Sequence, residues 1–363
     1  MTRRFKFGIA LIAILALAAF LYAGRFGSTP SFRDASGTVI QGSVAEQRRL
    51  NLGGVEQWVT IRGRNAKAPI LIWLHGGPGQ DETGLSRRYN SALEDHFVVV
   101  YWTQRGAGRS YSSSIPEASM TMTQFVADLD QLIGILKSRF RQNKVVLMGH
   151  SWGTSIGVSY AQQHPENVSV YVGVSQIANA VEGVSRSRQW LLSEAKRRND
   201  KPALAEIQAP DASANPTTLT AVELKWIDKL GGGYFHTEVS LIEAMLLSFK
   251  ASEMTWYDGI KFRAGSSFSI KALKPQLDKT DWLNTATKFD VPIFIAAGRY
   301  DRGTDATLAH EYFDRIEAPV KQFKWFERSA HCPPFEEPAA FNSFVVEEVL
   351  PLALKREGAD VIG

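Results

Sequence analysis

Polar and apolar positions alternate along Val55-Glu-Gln-Trp-Val-Thr-Ile-Arg62, with Val55, Gln57, Val59 and Ile61 on one side, which predicts a half-exposed early strand. Further along, the apolar residues run together: Pro69-Ile-Leu-Ile-Trp-Leu74, Phe97-Val-Val-Val-Tyr-Trp102, Lys144 to Met148, Val168 to Val174, Val291 to Ala297 and Val320 to Phe326. Continuous runs of this length suit strands covered on both faces of a parallel sheet. Between the runs at 97–102 and 144–148, Phe125, Val126, Leu129, Leu132, Ile133 and Leu136 recur at helical spacing behind Thr123, a candidate cap. The three pieces together predict a β-α-β crossover.

From about Ala178 to Thr285 the strand-like runs stop. Gln189 to Lys196, Leu224 to Leu230 and Leu241 to Leu247 read as helices, punctuated by Pro202, Pro210 and Pro216. The buried-strand pattern resumes after Asp290, so the stretch is an insertion between strands of one sheet. The pattern predicts an α/β fold with a mostly parallel central sheet, helices on both faces and an inserted helical cap over its carboxyl edge. The expected division is 1–24, 25–177, 178–285 for the cap, and 286–363.

Residues 7–24 carry no charge and follow Arg3, Arg4 and Lys6. As a helix, about 18 residues span roughly 27 Å, against a hydrocarbon core of roughly 30 Å. Leu21-Tyr22-Ala23 is a poor small-x-small cleavage site, so an uncleaved anchor is expected over a removed signal peptide. The basic lead then stays cytoplasmic and the rest of the chain lies beyond the membrane. The formal charge of +4 falls to about +1 without those three basic residues, which leaves no argument for a nucleic-acid partner. The basic run Lys196-Arg197-Arg198 is interleaved with Glu194 and Asp200, as on a solvated helix face. Cys332 is the one cysteine, so no intrachain disulfide can form, and the scattered histidines offer no zinc spacing. Neither a metal nor a cofactor is implied.

Chemistry concentrates at Gly149-His150-Ser151-Trp152-Gly153, directly after the run ending at Met148 and before a small-residue stretch that opens a helix. This is the strand-turn-helix setting of a nucleophile elbow, where glycines let a tight turn lift a serine oxygen into the open. A serine hydroxyl needs a base and an acid to orient that base. On this kind of sheet they follow in the order serine, carboxylate, histidine. His331 falls in the loop after the last strand, whereas His310 precedes that strand. Asp301, in Gly298-Arg-Tyr-Asp301, occupies the turn after 291–297, and Asp305 reads instead as a helix cap. The candidate triad is Ser151, Asp301 and His331. For the oxyanion, the candidate donors are the amides of Trp152 and of Gly77 or Gly76 in His75-Gly-Gly-Pro-Gly79. His75 and His150 read as structural hydrogen-bonders.

His75-Gly-Gly-Pro-Gly79, Gln104-Arg-Gly-Ala-Gly-Arg-Ser110 and Gly149-His-Ser-Trp-Gly153 together resemble the prolyl aminopeptidase family of α/β-hydrolases, and Gly298-Arg-Tyr-Asp301 fits that family's carboxylate turn. The resemblance implies an α/β-hydrolase fold, the same triad and oxyanion hole, and release of N-terminal proline or a similar residue from short peptides. Two departures stand out. Thr103 replaces the family's aspartate before Gln-Arg-Gly, and Gly231-Gly-Gly-Tyr-Phe235 has glycine where the family places a cap glutamate for the substrate's amino terminus. Glu194, Glu206, Glu223, Glu238 and Glu243 are the alternatives, and the sequence selects none. An esterase or lactonase with the same triad, acting on a small-molecule substrate, is the second reading. A silent binding module is the third.

Overall fold

The computed structural model describes residues 14–15, 27–211, 215–236, 241–248 and 250–358. Apart from Ile14 and Leu15, the apolar segment 7–24 lies outside them, as does Glu238. Among the described residues, no helix is long and apolar enough to cross a membrane.

Eight strands form one sheet: β1 (Val44–Leu52), β2 (Val55–Gly63), β3 (Ile70–Leu74), β4 (Val98–Thr103), β5 (Val145–His150), β6 (Val168–Val174), β7 (Ile293–Gly298) and β8 (Lys321–Phe326). Their order is β1-β2-β4-β3-β5-β6-β7-β8, antiparallel at β1/β2 and β2/β4 and parallel from β4 onward. The runs of β3 to β7 are apolar because both faces are covered; β8, at the far edge, differs from the expectation, with Lys321 exposed and only Phe326 buried. In β3, Ile70, Ile72 and Leu74 join one core with Val100, Leu132 and Ile156, while Leu71 and Trp73 join the other with Val99, Met148 and Phe341. β1 departs from the sequence reading, which placed no strand there. Glu46, Gln47, Arg48 and Arg49 sit at a sheet edge where only the ends, Val44 and Leu52, are buried, so the strand has no apolar face to betray it.

The main-body helices begin with α1 (Thr83–Tyr89), α2 (Met122–Phe140) and α3 (Trp152–Gln163). The cap of α2 is Thr121, whose side chain accepts from Gln124 N, two residues before the expected Thr123. Between β6 and β7 lie α4 (Ala180–Arg197), α5 (Lys201–Ile207), α6 (Ala221–Lys229), α7 (Leu241–Ser248), α8 (Trp256–Leu277) and the short α9 (Trp282–Thr285). Helices α4 to α6 close their own small core around Leu191, Ala195, Ala203, Trp226, Ile227 and Leu230. Helix α8 joins the main core through Leu273 and Phe268 and also approaches the main body through small residues: a Cβ on Gly79 would come within 2.9 Å of Ser266 Cα, and Ser269 Oγ donates to Gly106 O at 3.1 Å. After β7 come α10 (Ala306–Arg315) and, beyond β8, α11 (Pro333–Glu336).

Chain order reverses around β3, which is flanked by β4 and β5. In open α/β sheets such a reversal leaves a crevice at the carboxyl ends of the strands, where ligands bind. The loops that follow β3 and β5 bound that crevice.

Candidate active site

Ser151 stands between β5 and α3 with φ 52° and ψ −118°, a conformation that costs a non-glycine residue about 1–3 kcal/mol and is retained where surrounding structure enforces it. The enforcement is visible on both sides. Ser151 N donates to Val174 O at 2.9 Å, and its carbonyl accepts from Thr154 N at 2.8 Å and Thr154 Oγ1 at 2.6 Å. A Cβ on Gly149 would lie 2.5 Å from Gly153 O, and one on Gly153 2.0 Å from Leu74 O, so both positions require glycine for close approach.

Asp301 is fully buried in the turn after β7. Its Oδ1 accepts from the amides of Gly303 and Thr304, and its Oδ2 from Thr304 Oγ1 at 2.7 Å and His331 Nδ1 at 2.9 Å. Burial pushes this carboxyl up, but the attraction of His331 and the hydrogen bonds from His331 and Thr304 outweigh it and hold it at about 2. Asp301 is therefore an acceptor that fixes His331 with its Nδ1 protonated and its Nε2 free. Asp305 caps α10, accepting from Leu308 N at 2.8 Å. The His331 carbonyl accepts from His150 Nε2 and from Ser175 Oγ, both at 2.8 Å, so its loop is bonded to the residue just before the serine. The Ser151 hydroxyl makes no hydrogen bond to the described residues, and the serine–histidine bond is the one link of the constellation left open. Catalytic bonds of this kind commonly close only when substrate arrives.

The loop after β3 reaches the serine: a Cβ on Gly76 would lie 3.3 Å from Ser151 Cβ. Of its two candidate donors, Gly76 already has an acceptor. Its amide donates to Glu82 Oε1 at 3.0 Å and is spent there. The amides of Gly77, at φ +116°, and of Trp152, the first residue of α3 and so without a partner inside its helix, donate to no acceptor among the described residues. His75 is structural: Nδ1 donates to Gly76 O at 2.8 Å and Nε2 accepts from Gln104 N at 3.1 Å. Gln104 extends the brace, accepting from Trp152 Nε1 at 3.0 Å.

Sequence reasoning missed the acidic pair behind the loop. Glu82 gathers Trp73 Nε1, Gly76 N and His150 Nδ1 at 3.0, 3.0 and 2.7 Å. Asp81 accepts from Thr103 Oγ1 at 2.8 Å and from the amide and hydroxyl of Thr83, which gives Thr103 its place in the loop packing. Two adjacent acids right after a glycine-rich loop were the available signal. The glycine segment of the cap also has a physical reason. Gly232 O accepts from Arg302 N, and Gly233 O from His331 N. A Cβ on Gly232 would come within 2.7 Å of Arg302, so the segment that ties the cap to both the Asp301 and His331 loops has no room for an acid. Glu194, Glu206 and Glu223 are bound to Arg197 and Arg198, to Lys225, and to Arg188. Glu243 is exposed on α7.

On a mostly parallel eight-stranded sheet, a serine at the sharp turn into the helix after β5 marks an α/β-hydrolase, and this chain is a serine hydrolase of that fold. Residues 66–338 match the family described as serine aminopeptidase, S33, and the chain belongs to that family. It is 32% identical over 302 residues to a probable aminopeptidase, YbaC, of Bacillus subtilis (strain 168), covering 82% of this chain and 94% of that one. It is 29% identical over 341 residues to the proline iminopeptidase of Neisseria gonorrhoeae, covering 84% and 96%. Among solved structures, the proline iminopeptidase of Mycobacterium smegmatis shares the fold, with a TM-score of 0.64 at 17% identity over 85% of this chain and 99% of that one.

Proposed function

We propose that Ser151 attacks the carbonyl of an amide or ester, passing its proton to His331 Nε2, while Asp301 stabilises the resulting imidazolium and the amides of Gly77 and Trp152 receive the oxyanion. His331 returns the proton to the leaving amine or alcohol, and water then releases the acyl group from the serine. The observation that carries this reading is the Asp301–His331 bond at 2.9 Å, beside a serine held at φ 52°.

We propose further that the substrate is a short peptide with a small apolar N-terminal residue such as proline. The names of the relatives support this, and so does a cavity of about 120 Å³ walled by Leu85, Tyr234, Phe235, Met254, Phe262 and Phe335. It adjoins the histidine loop through Cys332 and through Tyr234, whose ring lies 5.6 Å from that of His331. An engineered apolar cavity of roughly 150 Å³ holds benzene, so this one suits a single small ring or short chain rather than a long acyl tail. Asp81, 5% exposed, borders the same cavity and has no ion pair among the described residues. A substrate ammonium would give that buried carboxyl an ionic partner.

An ester substrate is the second reading, favoured by the commitment of Glu194, Glu206 and Glu223 to cap arginines and lysine. Parallel assays of a proline arylamide and a short acyl arylester separate the two. Asp81→Asn is expected to raise KM about tenfold to a hundredfold for the free-amine substrate and leave the ester unchanged. Equal loss on both would remove the ammonium role. We also propose that residues 7–24 tether the enzyme to a membrane with its catalytic body exported. Recovery of full-length protein in the soluble fraction with an intact N-terminus would overturn that.

A further inference from the structure

His150, the residue before the nucleophile, is 2% exposed, and each of its ring nitrogens faces an acceptor. Nε2 lies 2.8 Å from the carbonyl oxygen of His331, which has no proton to give, so Nε2 donates. Nδ1 lies 2.7 Å from Glu82 Oε1. That oxygen already accepts from Gly76 N, and Glu82 Oε2 accepts from Trp73 Nε1, so the carboxyl is surrounded by N–H donors and is placed as a carboxylate. An imidazole whose two nitrogens both donate is an imidazolium.

We propose that His150 is a permanent imidazolium, paired with Glu82, that clamps the oxyanion loop to the loop of the base and limits the protonation of His331. The clamp runs from Gly76 N through Glu82 and the His150 ring to the His331 carbonyl, which also receives Ser175 Oγ. The charge acts on His331 because the two rings are 5.1 Å apart, centroid to centroid. A cation at that distance opposes a second proton on the base and keeps it competent at lower pH. The charge states agree with the environment. Burial pushes His150 down, yet the Glu82 carboxylate outweighs it and the group is raised; burial pushes Glu82 up, yet His150 outweighs it and the group is lowered.

Asp301 is bonded to His331 Nδ1, Glu336 accepts from the amides of Ala330 and His236, and Asp228 accepts from Tyr234 N. Burial pushes the Tyr234 hydroxyl and the Cys332 thiol up, so both are neutral. None of these supplies a second positive charge beside His331. His150 is a positioning residue and touches no reacting atom.

The pH effect rests on the reading of His331 as the base, whereas the charge state of His150 does not, and the two are tested separately. Histidine side chains of the full-length ¹⁵N-labelled protein are followed by NMR from pH 6 to 8.5, with the His150 signal identified by its loss in His150→Gln. Both nitrogens are expected to stay protonated throughout, and in Glu82→Gln the same ring is expected to be neutral at pH 7.5. With p-nitrophenyl acetate, the acid limb of kcat/KM is expected to move up by about one pH unit in His150→Gln, in which the cation is gone while Trp73 Nε1 and Gly76 N still donate to Glu82. It should move less in Glu82→Gln, which loses both charges. A neutral His150 in the wild type at pH 7.5 would overturn the proposal, as would an acid limb unmoved in both variants. If His150→Gln does not fold, the His150 ring signal is assigned instead by through-bond correlation to its backbone, and the wild-type and Glu82→Gln spectra decide. Full activity in Ser151→Ala would sink the catalytic reading and leave the imidazolium standing.

Discussion

Asp128 in α2 is the sharpest place to test how the Gln104–Ser110 loop is held. Its carboxylate is fully buried and receives four hydrogen bonds: Arg105 Nε and Nη2 at 2.9 Å each, Gln57 Nε2 at 2.6 Å and Gln124 Nε2 at 2.8 Å. Asp128→Ala leaves the Arg105 guanidinium, 1% exposed, with only the neutral oxygens of Leu52, Gly53 and Ser119. Removing one partner of a buried ion pair costs about 3–5 kcal/mol. That is a large part of a total stability of about 5–15 kcal/mol. At about 2 °C per kcal/mol for a chain of this size, scanning calorimetry should show Tm falling by about 6–10 °C. Glu194→Ala is the control, since its partners Arg197 and Arg198 are largely exposed and such pairs contribute under about 1 kcal/mol. The folded fraction of Asp128→Ala should keep kcat within about twofold, because Asp128 touches no proposed catalytic group. A Tm within about 2 °C of wild type, matching Glu194→Ala, would refute the reasoning.

Gly153→Ala places a Cβ 2.0 Å from Leu74 O, so the turn must shift. We expect about 1–3 kcal/mol of destabilisation together with a fall in kcat of about tenfold or more as the Trp152 amide moves, read by calorimetry and initial rates. Asp301 in the fold is held at about 2, below its ordinary 3.8, so its contribution to stability is complete above about pH 4 and is lost as pH falls towards 2. Acid unfolding followed by circular dichroism should therefore lose part of its steepness between pH 4 and 2 in Asp301→Asn; an unchanged curve would contradict the assigned bond.

Most of the sheet is legible in the sequence for one reason. A strand buried on both faces is apolar almost throughout, and β3, β4, β5, β6 and β7 are, with Thr103, His150 and Ser169 as the polar exceptions. β1 is not, because an edge strand paired on one side can be polar almost throughout. Helix α8 hides for the opposite reason: its buried contacts include Gly265, Ser266 and Ser269, which let it approach Gly79 and Gly106 closely and carry no hydrophobic stripe. At the site, Ser151, Asp301 and His331 stand out because chain order on this fold leaves few candidates. Glu82 does not, since its role depends on Trp73 of β3, Gly76 of its own loop and His150 at the end of β5 converging on it. The same convergence occupies the Gly76 amide and leads us to propose Gly77 as the donor, a choice a glycine-rich run alone cannot make.

The most direct measurement is covalent. A fluorophosphonate probe incubated with the full-length enzyme, followed by digestion and mass spectrometry, should place one adduct on Ser151. Labelling should vanish in a folded Ser151→Ala and slow by orders of magnitude in His331→Ala, with turnover falling in parallel. An unlabelled Ser151 in active enzyme, or normal rates in Ser151→Ala, would contradict the assignment of the nucleophile and everything built on it.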